Sequence, residues 1–469
     1  MLAPSVDELL QGLADAVAAD GDRLTVTDEA KLRAKADDLV YTAVFGEGVV
    51  RETARWLLWK AGQVLGIYPA SIHELYMAAG RGERPHTFTV PAINVRMLNF
   101  TTSRAIFRAA NRLDVGALIF EIARSEMGYT DQRPAEYVAA VLGAAIKEGF
   151  RGPLFIQGDH FQVSAKNFAA DPAKEVDAVR ELMREAVAAG FYNLDIDSST
   201  LVDLGPDELD AQQRNNYAVC AELTRYAREL EPDGVTISLG GEIGEVGGHN
   251  STVPELHAFM QGYRRETAGV TGISKISVQT GTSHGGVVLP DGSLAQVNVD
   301  FETLGELSRA AREEYGLGGA VQHGASTLPA SAFGKFPEVG AIEIHLATNF
   351  QNIVFDHLPK GEFDEAMAYC EANFGNEWKE GKTQEQFLYS TRKKVIGPFK
   401  RRWWDLPAEA HAGLGGRLQE TFEFLFDKLA VGGTRAFANQ VTTSRRLHRP
   451  RPQSAAAEGE LEMAADLAD

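Results

Sequence analysis

Residues 153–160 read Pro-Leu-Phe-Ile-Gln-Gly-Asp-His, a short apolar run that stops on an aspartate and a histidine. Such a run suits a strand of a parallel sheet, which is covered on both faces and so does not alternate apolar with polar residues. Outward from it, the same texture recurs at Thr87–Asn94, Gly116–Glu121, Tyr192–Asp197, Val235–Gly240, Ile273–Gln279, Gly319–Gln322 and Gly340–Leu346, which with Pro153–Gly158 makes eight runs. Amphipathic stretches such as Ala173–Ala189 and Asp207–Leu230 lie between them. This alternation is the βαβ signature of the α/β class. Eight such units over roughly 280 residues predict a (β/α)8 TIM barrel. An open doubly wound sheet shares part of the pattern, but it uses fewer strands and a glycine-rich first turn, and no such turn follows Asn94.

The barrel is expected over residues 71–358. Residues 1–70 read as an added helical segment, with Leu9, Leu10, Leu13 and Val17 on one face. Residues 359–444 read as a helical C-terminal extension, with Glu362–Phe374 and Arg417–Leu429 amphipathic. Residues 445–469 are rich in Pro, Ala and acids and are expected to be a solvated, disordered tail, its basic cluster Arg445, Arg446, His448, Arg449 and Arg451 included.

Composition narrows the function. Of 469 residues 44% are hydrophobic and 24% charged, which excludes a disordered chain and a coiled coil. With 46 Lys+Arg against 65 Asp+Glu the formal charge is −19, a field that repels nucleic acid. Two cysteines, Cys220 and Cys370, give neither a disulfide framework nor a thiolate metal site. No apolar run approaches the ~18–20 residues of a membrane span, and the acidic N-terminus is no signal peptide, so the chain reads as soluble and cytoplasmic. The apolar stretch Trp56–Trp59 and the pair Trp403-Trp404 call for cover and point to a homo-oligomer, a dimer or tetramer, unless they pack on their own barrel.

The polar residues that a core would reject collect at the strand ends. Asn94 and Glu121 close the first two runs, Asp159 and His160 follow the third, and Asp197 closes the fourth. Glu242, His284 and His323 follow the next three, and His345 lies late in the eighth. In a (β/α)8 barrel all of these face one mouth, where active sites lie. His160, His284 and His323 come from separate strands and suit a catalytic zinc centre, three nitrogens with an open fourth position. Any one of them alone would read as a hydrogen-bonded core histidine; His73, His86 and His411, which lack this setting, read as structural or surface residues. Glycine-rich turns at Thr280–Gly286 and at His323-Gly324 suit a phosphate cradle, with Ser326 and Thr348 as hydroxyl donors.

At these residues the sequence resembles the class II, metal-dependent ketose-bisphosphate aldolases. The markers are PAIN (Pro91–Asn94), GDH (Gly158–His160), IDSS (Ile196–Ser199), GEIGEVGG (Gly241–Gly248), TGTSHGG (Thr280–Gly286) and HGAS (His323–Ser326), in family order over roughly residues 71–350. The resemblance implies that His160, His284 and His323 hold Zn2+ with Glu242 beside it. It implies that Asp159 exchanges a proton with the hydroxyl at the scissile carbon–carbon bond, and that Gly285, Gly324, Ser326 and Thr348 bind the phosphate of the dihydroxyacetone phosphate half. Asn94 and His345 are expected against the substrate, and whether a monovalent cation assists phosphate binding stays open. The implied activity is reversible cleavage of a phosphorylated ketose, such as fructose 1,6-bisphosphate, in carbohydrate metabolism and glycolysis.

Departures from the pattern are specific. The acidic residue of the mobile loop is replaced by His249-Asn250-Ser251-Thr252, leaving His249 or Glu245 to take its part. In the eighth run His345 stands for an asparagine and Glu343 for a lysine, and the turn after His323 ends on Thr327 instead of glycine. Arg124 and Arg392 are candidates for gripping the second phosphate. Two other readings are open: a 4-epimerase that rejoins the fragments after rotation, told apart by its product, and a non-catalytic aldolase-like subunit, which has no need to keep three histidines with Asp159.

Overall fold

All eight apolar runs are strands, and they close on one another. The computed structural model describes residues 2–83, 87–244, 248–281, 289 and 298–453. Its strands are β1 Val17–Asp20, β2 Arg23–Val26, β3 Ile67–Ala70, β4 Val90–Asn94, β5 Ile119–Ala123, β6 Gly152–Gln162, β7 Asn193–Asp197, β8 Ser238–Glu242, β9 Lys275–Val278, β10 Ala320–Gln322 and β11 Glu343–Leu346. Strands β4 to β11 pair in parallel with their sequence neighbours, and β11 pairs with β4, so the sheet is a closed barrel with helices between its strands. β3 is an addition: it pairs in parallel with the first half of β6, from Ile67 opposite Gly152 to Ala70 opposite Phe155, while β7 pairs with the second half. Asn193 fastens the gap between them, its Oδ1 accepting from the Ile72 amide and its amide donating to Ala70 O and Ile156 O.

β6 carries the irregularity that shapes the mouth. Gly158 pairs with Leu194 but Phe161 with Ile196, so β6 has one residue more than its partner between these points, a β-bulge. His160 takes up the strain at φ +40°, a left-handed conformation that residues with a Cβ seldom adopt. In a regular strand Asp159 and His160 would point to opposite faces; with the bulge both line the same cleft.

The flanking segments differ in part from expectation. The N-terminal segment has helices Val6–Leu13, Glu29–Phe45 and Gly48–Val64, but Val17 begins the hairpin β1–β2 instead of continuing a helical face. Trp56, Trp59 and Trp403 are buried within the chain, and Trp404 packs edge-on to Phe45. These tryptophans are covered without a second copy and no longer argue for an oligomer. In the run from residue 445, described through residue 453, Arg445, Arg446 and His448 are exposed, while Leu447, Arg449 and Arg451 are part-buried against the chain. The guanidinium of Arg449 lies 3.3 Å from the centre of the Trp59 ring and donates to Ala188 O, while Trp56 Nε1 donates to Arg449 O and Gln63 to Leu447 O. Cations over indole faces account for the docking.

After β11, helices Thr348–His357, Lys360–Phe374, Gln384–Thr391, Ile396–Trp404 and Ala408–Lys428 run from the strands' C-terminal ends toward their N-terminal ends. There Leu429 O accepts from the Thr89 amide and Thr434 Oγ1 from the Gly116 amide. Among the described residues no helix is long and apolar enough to cross a membrane.

Candidate active site

A cleft of about 1150 Å³ opens at the C-terminal ends of the strands. Glu121, Asp159, His160, Asp197, Glu242, His323, Gly324, Ser326, His345 and Thr348 all line it. Asn94 lies buried against it, its amide donating to Glu126 Oε2 at 2.6 Å and facing Asp159 Oδ2 at 3.5 Å. His284 and Gly285, with Glu245 and His86, lie outside the described residues.

His160, Glu242 and His323 each bring a ligand-type atom within 4.8 Å of the others. The two imidazole rings stand edge to face with centres 4.3 Å apart. His160 Nδ1 faces Asp197 Oδ2 at 3.2 Å and Glu242 Oε2 at 3.5 Å; His323 Nδ1 faces Glu242 Oε1 at 3.9 Å, and its Nε2 meets Ser277 Oγ at 3.2 Å. A carboxylate behind a histidine fixes its ring and tautomer, as in metal centres. Burial pushes the Glu242 carboxyl well up, reinforced by the Asp197 charge and opposed by His160. Burial lowers His160, but Asp159, Glu242 and Asp197 outweigh it and hold the imidazole well above its usual range. Two imidazoles and a carboxylate converging in a carboxylate-rich pocket are a donor set that fits a divalent cation such as zinc.

Beneath this lies a second, wholly interior layer. Residues two apart on a strand share a face, so Gln157 sits below Asp159, Asp195 below Asp197 and Glu343 below His345. Lys275 Nζ enters the layer from β9, 2.5 Å from Glu343 Oε1, 2.9 Å from Asp195 Oδ1 and 2.8 Å from Gln157 Oε1. The Tyr76 hydroxyl also donates to Glu343. β8 has glycine at 240 because this pair runs across it: a Cβ there would stand 2.3 Å from Asp195 Oδ1 and 2.9 Å from Lys275 Cε. Burial would raise the Glu343 carboxyl, but Lys275 and the His345 bond overcome it and bring it to about 2. Sequence reasoning missed Lys275, whose signal was a lysine within a run that reads as a buried strand.

On the other side of the cleft Ser326 Oγ accepts from the Asn349 amide at 3.4 Å, tying the turn after β10 to the N-terminus of helix Thr348–His357. Unpaired amides at a helix start favour an anion. The C-terminal extension adds Lys379, Lys382 and Lys393 to the lining, together with Arg96 and Arg124 from the barrel. Arg96 pairs with Glu126 at 2.5 Å. Burial, and next the Arg96 guanidinium, hold the Lys393 ammonium below the ordinary lysine range. Of the two arginine candidates, Arg124 reaches the cleft, held at 2.7 Å by Glu175. Arg392 does not line it: its guanidinium stacks on Tyr389 and Phe355 and donates to Asn352, while its neighbour Lys393 faces the cleft. His249 is also away from the lining, more than half exposed, with Nε2 3.9 Å from Glu255. His73 is a buried histidine pushed down to about 4 by burial, and His411 bonds Thr101 and Trp404 O.

The profile of a family described as fructose-bisphosphate aldolase class-II matches residues 78–400. No curated protein matches the sequence. Among solved structures, one described as a probable tagatose 6 phosphate kinase from Sinorhizobium meliloti is 15% identical, covers 81% of this chain and 99% of its own, and superposes with a TM-score of 0.50, a likeness of fold. A fructose-bisphosphate aldolase from Campylobacter jejuni is 16% identical over 78% of this chain and 97% of its own, with a TM-score of 0.47. The YdjI aldolase from Escherichia coli is 15% identical over 73% and 99%, with a TM-score of 0.41.

Proposed function

The chain belongs to the class II fructose-bisphosphate aldolase family and is an aldolase-type lyase; from that premise we propose that it cleaves a ketose bisphosphate with zinc, fructose 1,6-bisphosphate going to dihydroxyacetone phosphate and glyceraldehyde 3-phosphate. The observation that carries this reading is the convergence of His160, Glu242 and His323 beside Asp159 in one cleft. His160 and His323, with His284 and Glu242, would hold the metal. Zinc bound there supplies Lewis acidity for the negative charge that cleavage leaves on the donor fragment.

The protein's own groups account for the rest. Asp159 takes the proton from the hydroxyl at the scissile bond as the bond electrons pass to the donor fragment, and returns it in condensation. Gly324, Ser326, Thr348 and the amides of helix Thr348–His357 receive the donor phosphate. Arg96 and Lys393, two cations held close together, suit the phosphate at the far end of the substrate.

The test is triose phosphate release from fructose 1,6-bisphosphate and tagatose 1,6-bisphosphate by zinc-loaded protein, with and without EDTA. Chelator-sensitive release supports the reading, and silence on both substrates with zinc bound defeats it. A second reading draws on His249 standing where the family has a loop acid: cleavage followed by rejoining, a sugar phosphate 4-epimerase, whose product is an epimeric ketose instead of two trioses.

A further inference from the structure

His345 stands where the family pattern has an asparagine, and its ring has carboxylates on both sides. Nδ1 lies 3.2 Å from Asp159 Oδ1 and 3.1 Å from Glu121 Oε2. On the opposite edge Nε2 lies 2.6 Å from Glu343 Oε1 and 3.6 Å from Asp195 Oδ2. Glu343 is itself fixed by Lys275 at 2.5 Å, by the Gln157 amide at 3.0 Å and by the Tyr76 hydroxyl, all inside the barrel. The imidazole thus spans the interior ion pair, to which it is hydrogen-bonded, and the carboxylate at the cleft, which it faces at ion-pair distance.

A histidine is the side chain that offers nitrogens on two sides of one stiff ring. Asparagine is shorter and has a single amide group, so it cannot span Asp159 and Glu343 together. The need for such a link follows from the bulge: Asp159 precedes a residue in left-handed backbone, at the one point where β6 slips out of register with β7. The contact of Asp159 with Asn94, at 3.5 Å, is longer than the one with His345. Proton transfer needs donor and acceptor within about 2.6–3.2 Å, and a misplacement of about 1 Å costs on the order of 10²-fold in rate.

We infer that His345 is a positioning residue for Asp159, transmitting the fixed geometry of the Lys275–Glu343 pair to the carboxylate that exchanges the substrate proton. The inference rests on the aldolase reading above. Its effect falls on carbon–carbon cleavage and not on proton exchange at the donor carbon of dihydroxyacetone phosphate, a half-reaction that does not pass through Asp159.

The experiment compares zinc-loaded wild type with His345→Ala and His345→Gln, measuring zinc content, kcat and KM for cleavage of fructose 1,6-bisphosphate, and deuterium exchange into dihydroxyacetone phosphate. The expected result is a kcat for cleavage lowered by about 10²-fold, with KM, zinc content and the exchange rate within about 3-fold of wild type. His345→Gln keeps most of the volume and carries the same comparison should the alanine variant fail to fold. Cleavage and exchange falling together, neither falling, or loss of zinc from both variants would overturn the positioning role while leaving the lyase intact. Wild type that releases no triose phosphate overturns the aldolase reading, and this inference with it.

Discussion

The ammonium of Lys275 and the carboxylate of Glu343 meet at 2.5 Å with no side-chain surface exposed on either partner. Where the sequence puts an acid on β11 in place of the expected lysine, a lysine reaches it from β9, two strands away. The interior layer holds a cation among carboxylates. Asp195, 2.9 Å from the same ammonium, and Gln157 complete the shell.

Removing the cation alone should therefore be costly. Lys275→Met leaves Glu343 and Asp195 buried without their partner, and losing one member of a buried pair costs about 3–5 kcal/mol. Pairing it with Glu343→Gln should recover part of that loss, because the second acid is then no longer a stranded charge. Urea unfolding of the single and double variants checks this; a Lys275→Met protein within about 1 kcal/mol of wild type would contradict it.

Glu121 makes stability depend on pH. Burial first, and the Asp159 charge next, push its carboxyl from 4.5 up to about 8, with His345 opposing. Between those values the native protein keeps a proton that the unfolded chain has lost, so unfolding free energy falls as pH rises from about 4.5 to about 8. Glu121→Gln removes that titration and should flatten the fall, gaining most over wild type at pH 8. Parallel urea midpoints for the two zinc-stripped proteins across this range would show that Glu121 does not set the slope.

The barrel was legible because its strands are buried on both faces and read as apolar runs, from Pro153–Gly158 outward, with polar residues only at their ends. The bulge at Gly158–Phe161 was not, since nothing in GDHF announces an extra residue; the adjacency of Asp159 and His160, both needed on one face, was the available hint. β3 was hidden by its brevity, and by Pro69 within it. Lys275 escaped notice because a charge inside a strand can be read only against its partner, which lies 68 residues further along the chain. The lysines of residues 379–393 look like ordinary surface residues until the extension is seen to return over the mouth.

Metal loading and chemistry should separate by residue. His160→Ala and His323→Ala remove ligand-type nitrogens and should leave protein with little bound zinc and no cleavage. Asp159→Asn should bind zinc as wild type does and lose about 10²–10⁴-fold in kcat, the range of a general acid–base contribution. Elemental analysis alongside the cleavage assay decides it, and full zinc occupancy in both histidine variants would refute the assigned centre.

The docked stretch at Arg449 bears on stability alone. Arg449→Ala removes a cation held 3.3 Å from the centre of the Trp59 ring together with its bond to Ala188 O. A desolvated cation–π contact is worth about 2 kcal/mol, so a loss of that order is expected in urea unfolding, with kcat and KM unchanged. An unaltered midpoint would mean that the contact is not formed in solution.

Lys393 and Arg96 should govern affinity for the far end of the substrate. Both cations line the cleft, Arg96 in its pair with Glu126, and burial with the nearby guanidinium holds the lysine below its usual range. An anion beside the Lys393 ammonium offsets that burial, and a charge-assisted hydrogen bond contributes about 1.5–3 kcal/mol, or roughly 10–100-fold in binding. Lys393→Met should raise KM for fructose 1,6-bisphosphate by that factor while leaving KM for fructose 1-phosphate, which has no second phosphate, within about 2-fold. Because Lys393 comes from the C-terminal extension, this selectivity would make that segment part of substrate recognition. Equal increases for both substrates would instead put Lys393 at the donor phosphate, and no increase for either would remove it from recognition altogether.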